Sequence, residues 1–588
     1  MSPRPPYTLG LSALYHDSAA ALVGPGGEVL AAAHEERFTR RRHDAAFPRE
    51  AIAYCLAEAG IGPTDLSAIV FYEKPFTKFL DRFLINHIAE WPRSLAPFLE
   101  AVPSWMGEKF WLPYELAKAG LFRVPVRYVT HHESHAASAF LPSPFEQAAI
   151  VTCDGVGEWS TTTVGFGEGD DFVLTQEVRF PHSLGLLYST MTAYLGFRVN
   201  SAEYKVMGLA PYGEPTMVDK FRKLCHLHAD GSFHLDMRYF RFHRSLRMPT
   251  RALEELFGAP CRRGEDEPLT QFHKDCARSL QEFTNEAMLG LARRAHASFP
   301  GTKNLVMAGG VALNCVSNSY ILEHGPFDNI WVQPAAGDAG GAVGGALMVA
   351  REIDPDFRRH EMAHVALGPA FGDAAIREAM EEQGLPYREM ASDEELIEYL
   401  ADRLVEQAIV GWFQGRMEYG PRALGNRSIL ADPRAPENRD RVNLAIKFRE
   451  SFRPFAPAVP EDAVGDWFDW RGPSRFMLFT ATTREPERLP AIAHVDASAR
   501  LQTVTREHTP LYYDLHRAFE RRTGVPVLIN TSFNVRGEPI VCTPRDAVAT
   551  FLGTHIDVLA MGRFVAEKRE VPREALRVEA HRTAFKPD

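Results

Sequence analysis

The chain has 588 residues, room for three or four domain-sized units at roughly 100–200 residues each. Its 45% hydrophobic and 24% charged content excludes wholesale disorder, collagen and coiled coil. With 65 basic and 76 acidic residues the formal net charge is −11, which excludes the global field of a nucleic-acid binder and leaves only local basic pockets.

The first elements repeat. Residues 7–14 are mostly apolar and read as a buried strand. They lead to His16-Asp17, a small-residue strand (SAAALV), a Gly-rich turn and a third strand (EVLAAAH). Residues 148–153 start the same order again: apolar strand, Asp154, STTTVGF, a turn, then FVLTQEVRF. Asp17 and Asp154 take equivalent places. A duplicated strand–acid–hairpin unit is how actin-like ATPase folds open each half, with the acids facing a nucleotide cleft. Any two β-hairpins share part of this pattern.

Helix-period apolar positions predict helices over 49–60 and 270–298. Two Gly-rich runs follow short apolar strands: AGGVALN at 308–314 and GDAGGAVGGAL at 337–347. Such turns let backbone approach a ligand closely and open helices whose N-terminal amides bind phosphate. Gly309, Gly310, Asn314 and Gly341 are therefore candidates for nucleotide contact. Residues 352–370 carry charge and proline without a clear period and mark a boundary. The expected domains are 1–355 and 371–588, the second with helices at 373–384 and 393–408 and strands at 409–413 and 525–530.

Seven cysteines (Cys55, Cys153, Cys225, Cys261, Cys276, Cys315 and Cys542) are widely spaced and form no C-x-x-C. That argues against a disulfide framework or zinc ribbon and suits a reducing cytoplasm. No apolar run approaches a membrane span.

His131 and His135 lie four apart, on one face if helical, the usual geometry for one metal. His pairs also occur on solvated helix faces. Asp154 and Asp338 could complete a two-His, two-Asp site suited to iron, zinc or manganese. His132 lies off that face and is expected either behind the ligands or in solvent. CHLHADGSFH (225–234) is irregularly spaced and reads as surface loop. The run HEERFTRRRHD holds Arg37, Arg40, Arg41 and Arg42 with His43, either a solvated face or an anion site.

The strongest local signal lies between Arg416 and Arg453, where nine Lys/Arg and five acids interleave with aromatics and prolines. Half-buried arginines need anions; nucleic acid is one candidate, and small phosphates, which fit guanidinium forks, are the better one. VPVLINTSFNVRGEPIV (525–541) is an apolar strand ending in Asn530, Thr531, Ser532 and Asn534, which suits an amide, a phosphate or an ordinary turn.

SALYHDSAAAL, EERFTRRRHD, HHESHAASAF, CDGVGEW, EYKVMGLAPYG, AGGVALN, MEYGPRALGNRSIL, FRPFAPAV and NTSFNVRGEPIV together resemble the NodU/CmcH family of O-carbamoyltransferases, along nearly the whole chain. The resemblance implies an α/β chain: a duplicated actin-like domain (ASKHA, threonylcarbamoyl-transferase-like) followed by a YrdC-like α/β domain. It implies that the second module makes carbamoyl-adenylate from ATP and carbamoyl phosphate. The first then passes the carbamoyl group to a small-molecule hydroxyl, such as that of a natural product or sugar in antibiotic or secondary-metabolite biosynthesis. It further implies Fe(II) or another divalent metal on His131, His135, Asp154 and Asp338, with magnesium as a further candidate ion. His16 is implied as the base, with Asp275 assisting. Arg422, Lys447, Arg453, Arg500, Asn530 and Ser532 are implied around carbamoyl phosphate and the adenylate. Relatives often carry Lys where this chain has Arg42, which leaves that contact open.

The implied partners are a small-molecule acceptor, no nucleic acid and no membrane, in the cytoplasm; acceptor identity and oligomeric state stay open. Acceptor loops are expected from the aromatic stretch at about 73–125. A tRNA threonylcarbamoyl-type transferase is opposed by the acidic balance, and an actin-like small-molecule kinase would not need carbamoyl phosphate. A metallopeptidase would need H-E-x-x-H, and Glu133 sits at another offset.

Overall fold

A computed structural model describes residues 6–107, 109–449 and 455–585. The chain forms two compact units. The first comprises the residues up to Glu35 and His43–Met362; the second comprises Glu36–Arg42 and the residues from Ala363 on.

In the first unit, β1 (Tyr7–Ser12), β2 (Ala19–Val23), β3 (Val29–His34), β4 (Leu66–Phe71) and β5 (Val126–Tyr128) form one sheet in the order β3-β2-β1-β4-β5. The β1–β2 and β2–β3 pairs are antiparallel; β1–β4 and β4–β5 are parallel. The chain then repeats this. β6 (Gln147–Cys153), β7 (Ser160–Glu168) and β8 (Asp171–Arg179) form an antiparallel meander. A separate hairpin of β9 (Cys225–Leu227) and β10 (Phe233–Leu235) follows. β11 (Asn304–Ala308) and β12 (Asn329–Val332) then extend the second sheet in parallel, giving β12-β11-β6-β7-β8. Two sheets of one topology in one unit are the duplicated actin-like architecture, with Asp17 after β1 and Asp154 after β6.

Local chemistry explains why the elements around the site start where they do. Thr130 and Glu133 form a reciprocal capping box, so the helix His131–Phe140 begins at the first histidine. Such a cap stabilises a helix by about 1 kcal/mol. The helix Asp338–Ile353 is almost all glycine, alanine and valine through its first three turns and is buried there. Its small side chains let it lie against the histidine helix and β1. A Cβ on Gly344 would overlap the carbonyl oxygen of Ser134.

The insertion between β4 and β5 is helical, including Leu95–Gly107 and Leu112–Lys118. Phe79, Phe83, Phe98, Trp105 and Phe110 pack edge to face, tilted or stacked within it.

The second unit is built on a nine-stranded mixed sheet. In chain order its strands are β13 (Arg388–Glu389), β14 (Val410–Phe413), β15 (Arg427–Ala431), β16 (Ala456–Pro460), β17 (Phe479–Thr482), β18 (Ser498–Val504), β19 (Leu528–Ser532), β20 (Val558–Met561) and β21 (Phe564–Glu567). They lie in the order β13-β21-β20-β14-β15-β19-β16-β18-β17. Helices Asp393–Val405, Pro510–Thr523 and Pro544–Leu552 bury Leu400, Leu515 and Phe551 in its core. The seven cysteines are all free. No described helix is long and apolar enough to cross a membrane.

Candidate functional site

The first unit gathers four chain-distant side chains. His131 and His135 present their Nε2 atoms 3.1 Å apart, as the helical spacing requires. Asp154, at the end of β6, places Oδ2 3.1 Å from His131 Nε2. Asp338, at the first turn of its helix, places Oδ1 3.8 Å from His131 Nε2 and 3.9 Å from His135 Nε2. One ligand atom from each of the four lies within 4.8 Å of all the others. Both histidines and Asp338 are buried.

This donor set fits a divalent cation. Two carboxylates and two imidazoles turn their ligand atoms into one small volume, and His131 Nε2 alone faces both another imidazole nitrogen and a carboxylate oxygen. One N–H cannot satisfy both. The Nδ1 atoms of His131 and His135 are buried without hydrogen-bond partners. His132 is buried too, rather than solvated: its Nδ1 meets Thr152 Oγ1 at 2.6 Å, and burial with the nearby His131 pushes its pKa down to about 3.

Charge at the cluster is strongly organised. Burial pushes Asp154 up, but the hydrogen bond with His131 and the charges of both histidines hold it well below the usual carboxylate range. Asp338 is raised, because burial outweighs the attraction of His16 and His131. His135 is driven well down by burial and by His131.

His16 stands beside this cluster. Its Nε2 is 3.8 Å from Asp338 Oδ2 and its Nδ1 is 3.2 Å from Asp17 Oδ2. Burial would lower its pKa, yet Asp338 and Asp17 raise it well above the usual imidazole value. Asp17 also takes His43 Nδ1 at 2.7 Å, and the backbone is left-handed at both residues (φ 52° and 54°). Tyr72, after β4, donates to Asp338 Oδ2 at 3.4 Å. Sequence reasoning did not place Tyr72 or His43 here. Their signal was positional only: Tyr72 directly follows β4, and His43 lies in the HEERFTRRRHD motif.

The remaining first-unit candidates divide. Gly310 N donates to Asp154 Oδ1 at 2.8 Å. Gly309 has φ 93°, and a Cβ there would strike the backbone of Cys153, so the turn needs glycine. Asn314 caps the helix Cys315–His324 through Ser317 N and exchanges hydrogen bonds with Gln281. Gly341 faces Ser134 and Tyr72 across a helix packing contact. Asp275 accepts from Glu214 N (2.9 Å) and Gln271 (2.8 Å) and has no hydrogen bond to the cluster. The His226, His228 and His234 group sits on the β9–β10 hairpin, with His228 and His234 2.8 Å apart and exposed.

In the second unit the chemistry gathers at the end of β19. Lys447 is buried, and its ammonium donates to Ser532 O (2.5 Å), Ser532 Oγ (3.1 Å), Asn534 O (2.9 Å) and Asn534 Oδ1 (2.6 Å). Asn530 Nδ2 donates to Gln502 Oε1 at 2.7 Å, and its Oδ1 is buried without a partner. Arg500 lies on β18 and Arg422 in the loop before β15. Arg453 falls outside the described residues. Of the early arginine run, Arg40 donates to the carbonyls of Ile540 (2.7 Å) and Pro539 (2.9 Å) and to Glu538 (3.0 Å), and Arg37 to the Gly420 carbonyl (2.9 Å). Those two guanidiniums are occupied by protein.

Comparison with known proteins gives two family matches. Residues 7–347 match the model of a carbamoyltransferase N-terminus, and residues 401–568 that of a carbamoyltransferase C-terminus. An uncharacterised protein of Synechocystis is 48% identical, over 96% of this chain and 97% of its own. Nodulation protein NolNO of Sinorhizobium fredii is 39% identical, over 95% of this chain and 80% of its own. Among solved structures, component A of (R)-2-hydroxyglutaryl-CoA dehydratase from Acidaminococcus fermentans is 14% identical, with a TM-score of 0.30, covering 59% of this chain and 98% of its own.

Proposed function

This chain belongs to the carbamoyltransferase family, and from that premise we propose that it is an ATP-dependent O-carbamoyltransferase acting through carbamoyl-adenylate on a small-molecule hydroxyl. The observation that carries the reading is the convergence of His131, His135, Asp154 and Asp338 beside His16, in one unit, on a turn whose Gly310 amide meets Asp154.

In the second unit, water releases phosphate from carbamoyl phosphate, leaving carbamate. A carbamate oxygen then attacks the α-phosphorus of ATP and pyrophosphate departs. Lys447, Arg422, Arg453 and Arg500 would offset the charge on the phosphates, with Asn530 and Ser532 holding the planar amide. Four oxygen acceptors fix the Lys447 ammonium at the end of β19, and it would exchange some of these contacts for phosphate oxygens when substrate binds.

In the first unit, the acceptor hydroxyl oxygen attacks the carbamoyl carbon and AMP leaves. His16 Nε2 would take the hydroxyl proton as a neutral imidazole; Asp338, which raises the His16 pKa while its charge is free, would relax that hold once its carboxylate is engaged by a cation. Asp17 holds the opposite ring nitrogen at 3.2 Å and so orients the ring. His131, His135, Asp154 and Asp338 would hold a divalent metal, Fe(II) by the family resemblance, which supplies Lewis-acid polarisation of phosphate or carbonyl oxygen. The Gly309–Gly310 turn would let nucleotide approach the backbone closely, its own amides being spent on Ala336 O and Asp154 Oδ1.

The test incubates the protein with ATP and carbamoyl phosphate and no acceptor. Pyrophosphate release and a carbamoyl-adenylate mass are expected; their absence overturns the reading.

A further inference from the structure

The insertion between β4 and β5 buries more cations than it pairs. Lys78 is neutralised by Glu73, with both side chains buried and in contact. Lys109, only 9% exposed, has no carboxylate within ion-pair distance and no hydrogen-bond acceptor among the described residues. Its ammonium lies over the rings of Trp105 (4.6 Å) and Tyr15 (5.2 Å). Arg82, half-buried, donates to the Gly157 carbonyl and lies over Phe180 at 5.8 Å, again with no carboxylate within ion-pair distance among the described residues. The nearest acids are spoken for: Glu73 by Lys78, and Glu158 by the amides of Lys74 (2.8 Å) and His131 (3.1 Å). A buried cation without an anion is strongly unfavourable. Lys109 shows it: burial, with Lys78 and Arg82 nearby, lowers its pKa to about 8.

Tyr15 links this cluster to the base. Its ring is half exposed, 4.5 Å from the His16 ring and 5.4 Å from the Lys78 ammonium. Lys78 and Lys109 therefore stand one aromatic ring away from His16.

We infer that Lys109 and Arg82 form an acceptor subsite for an oxyanion, so that the molecule carbamoylated here carries a carboxylate, phosphate or sulfate close to the hydroxyl facing His16. This rests on the proposed transfer role of the His16 cluster. An oxyanion lodged there restores the missing charge partner, and the Tyr15 and Trp105 rings offer apolar surface to the carbon skeleton between anion and hydroxyl.

The experiment is calorimetry on the full-length protein saturated with a non-hydrolysable ATP analogue. Sodium sulfate, glucose 6-phosphate and glucose are the probes. Sulfate and glucose 6-phosphate are expected to bind and glucose not to. Lys109→Met should weaken both anions tenfold or more, Arg82→Met should weaken them as well, and Lys109→Arg should keep them. Unchanged anion affinity in Lys109→Met, or no anion binding by the wild type, overturns the subsite. Binding seen only without the ATP analogue assigns these cations to nucleotide phosphate and overturns the acceptor role. Wild-type pyrophosphate release, measured alongside, separates this from the transfer reading. Sulfate binding without pyrophosphate release removes the acceptor role and leaves an anion site. Pyrophosphate release without sulfate binding removes the subsite alone.

Discussion

At the scale of single residues, His131 and His135 are expected to be inseparable in effect. Each contributes one of four ligand atoms crowded within 4.8 Å, so His131→Ala or His135→Ala should each abolish stoichiometric metal while the fold persists. Elemental analysis with circular dichroism checks this; full occupancy in both variants would remove the assignment. Lys447 and His16 should fail in different ways. Lys447→Ala should cut acceptor-free pyrophosphate release by about 10²–10³, since it deletes a positive charge at the phosphates. His16→Ala should leave that release intact and stop only transfer; equal loss in both variants would refute the division of labour. Lys109 gives a pH dependence with a definite sign. Burial, the first cause, and the neighbouring Lys78 and Arg82 disfavour its charged form, while Glu73 and Asp338 favour it, leaving it at about 8. The charged form binds the oxyanion, so its contribution is complete below that pH and lost as pH rises through it. Sulfate affinity should accordingly fall above pH 8 in the wild type and stay level in Lys109→Arg; identical profiles would contradict it.

At the scale of elements, the metal cluster depends on how closely two helices approach. The helices His131–Phe140 and Asp338–Ile353 carry three of the four ligands, and Gly344 sits where they cross. Gly344→Ala would drive a methyl group into the Ser134 carbonyl. Overpacking of this kind costs about 1–3 kcal/mol, and here it should also move Asp338 off the histidines. A lowered melting temperature together with weakened metal binding is the expected pair of results; normal metal affinity would show that Asp338 is positioned some other way. The helices themselves were legible from the chain. Thr130 and Glu133 announce a capping box, and the Gly-rich run after NIWVQ announces a helix start. The strand ending in Ser532 begins at Leu528, later than expected from 525, because Pro526 delays entry into the ladder.

At the scale of the whole molecule, the second unit is not one stretch of chain. Glu36–Arg42 belongs to it, although the residues on either side belong to the first unit. Arg40 accounts for part of that membership through Ile540, Pro539 and Glu538, whose carboxylate is 2% exposed. Arg40→Ala leaves that buried charge with weaker compensation, from His581 at 3.6 Å. The second unit should lose about 2–4 kcal/mol, somewhat less than a fully buried pair because Arg40 is itself partly exposed. Amide exchange across Pro544–Leu552 measures it, and unchanged protection there would show the arginine to be dispensable.

The sequence by itself determined the repeated succession of strand, acid, strand, turn and strand that opens each half, the helical His-x-x-x-His spacing and the cap at Thr130, because periodicity, capping and turn chemistry are written within a few residues of where they act. The family resemblance was equally legible, being carried by contiguous motifs. Only the tertiary structure decided that Asp154 and Asp338 meet the two histidines, that Tyr72 meets Asp338 and His43 meets Asp17, that Arg37 and Arg40 are spent on carbonyls and an acid, and that Lys109 is buried without an acid among the described residues. These are outcomes of sheet order and helix approach. A side chain's partners lie up to hundreds of residues away, and burial, which gives an unpaired charge its significance, exists only once the chain has closed around it.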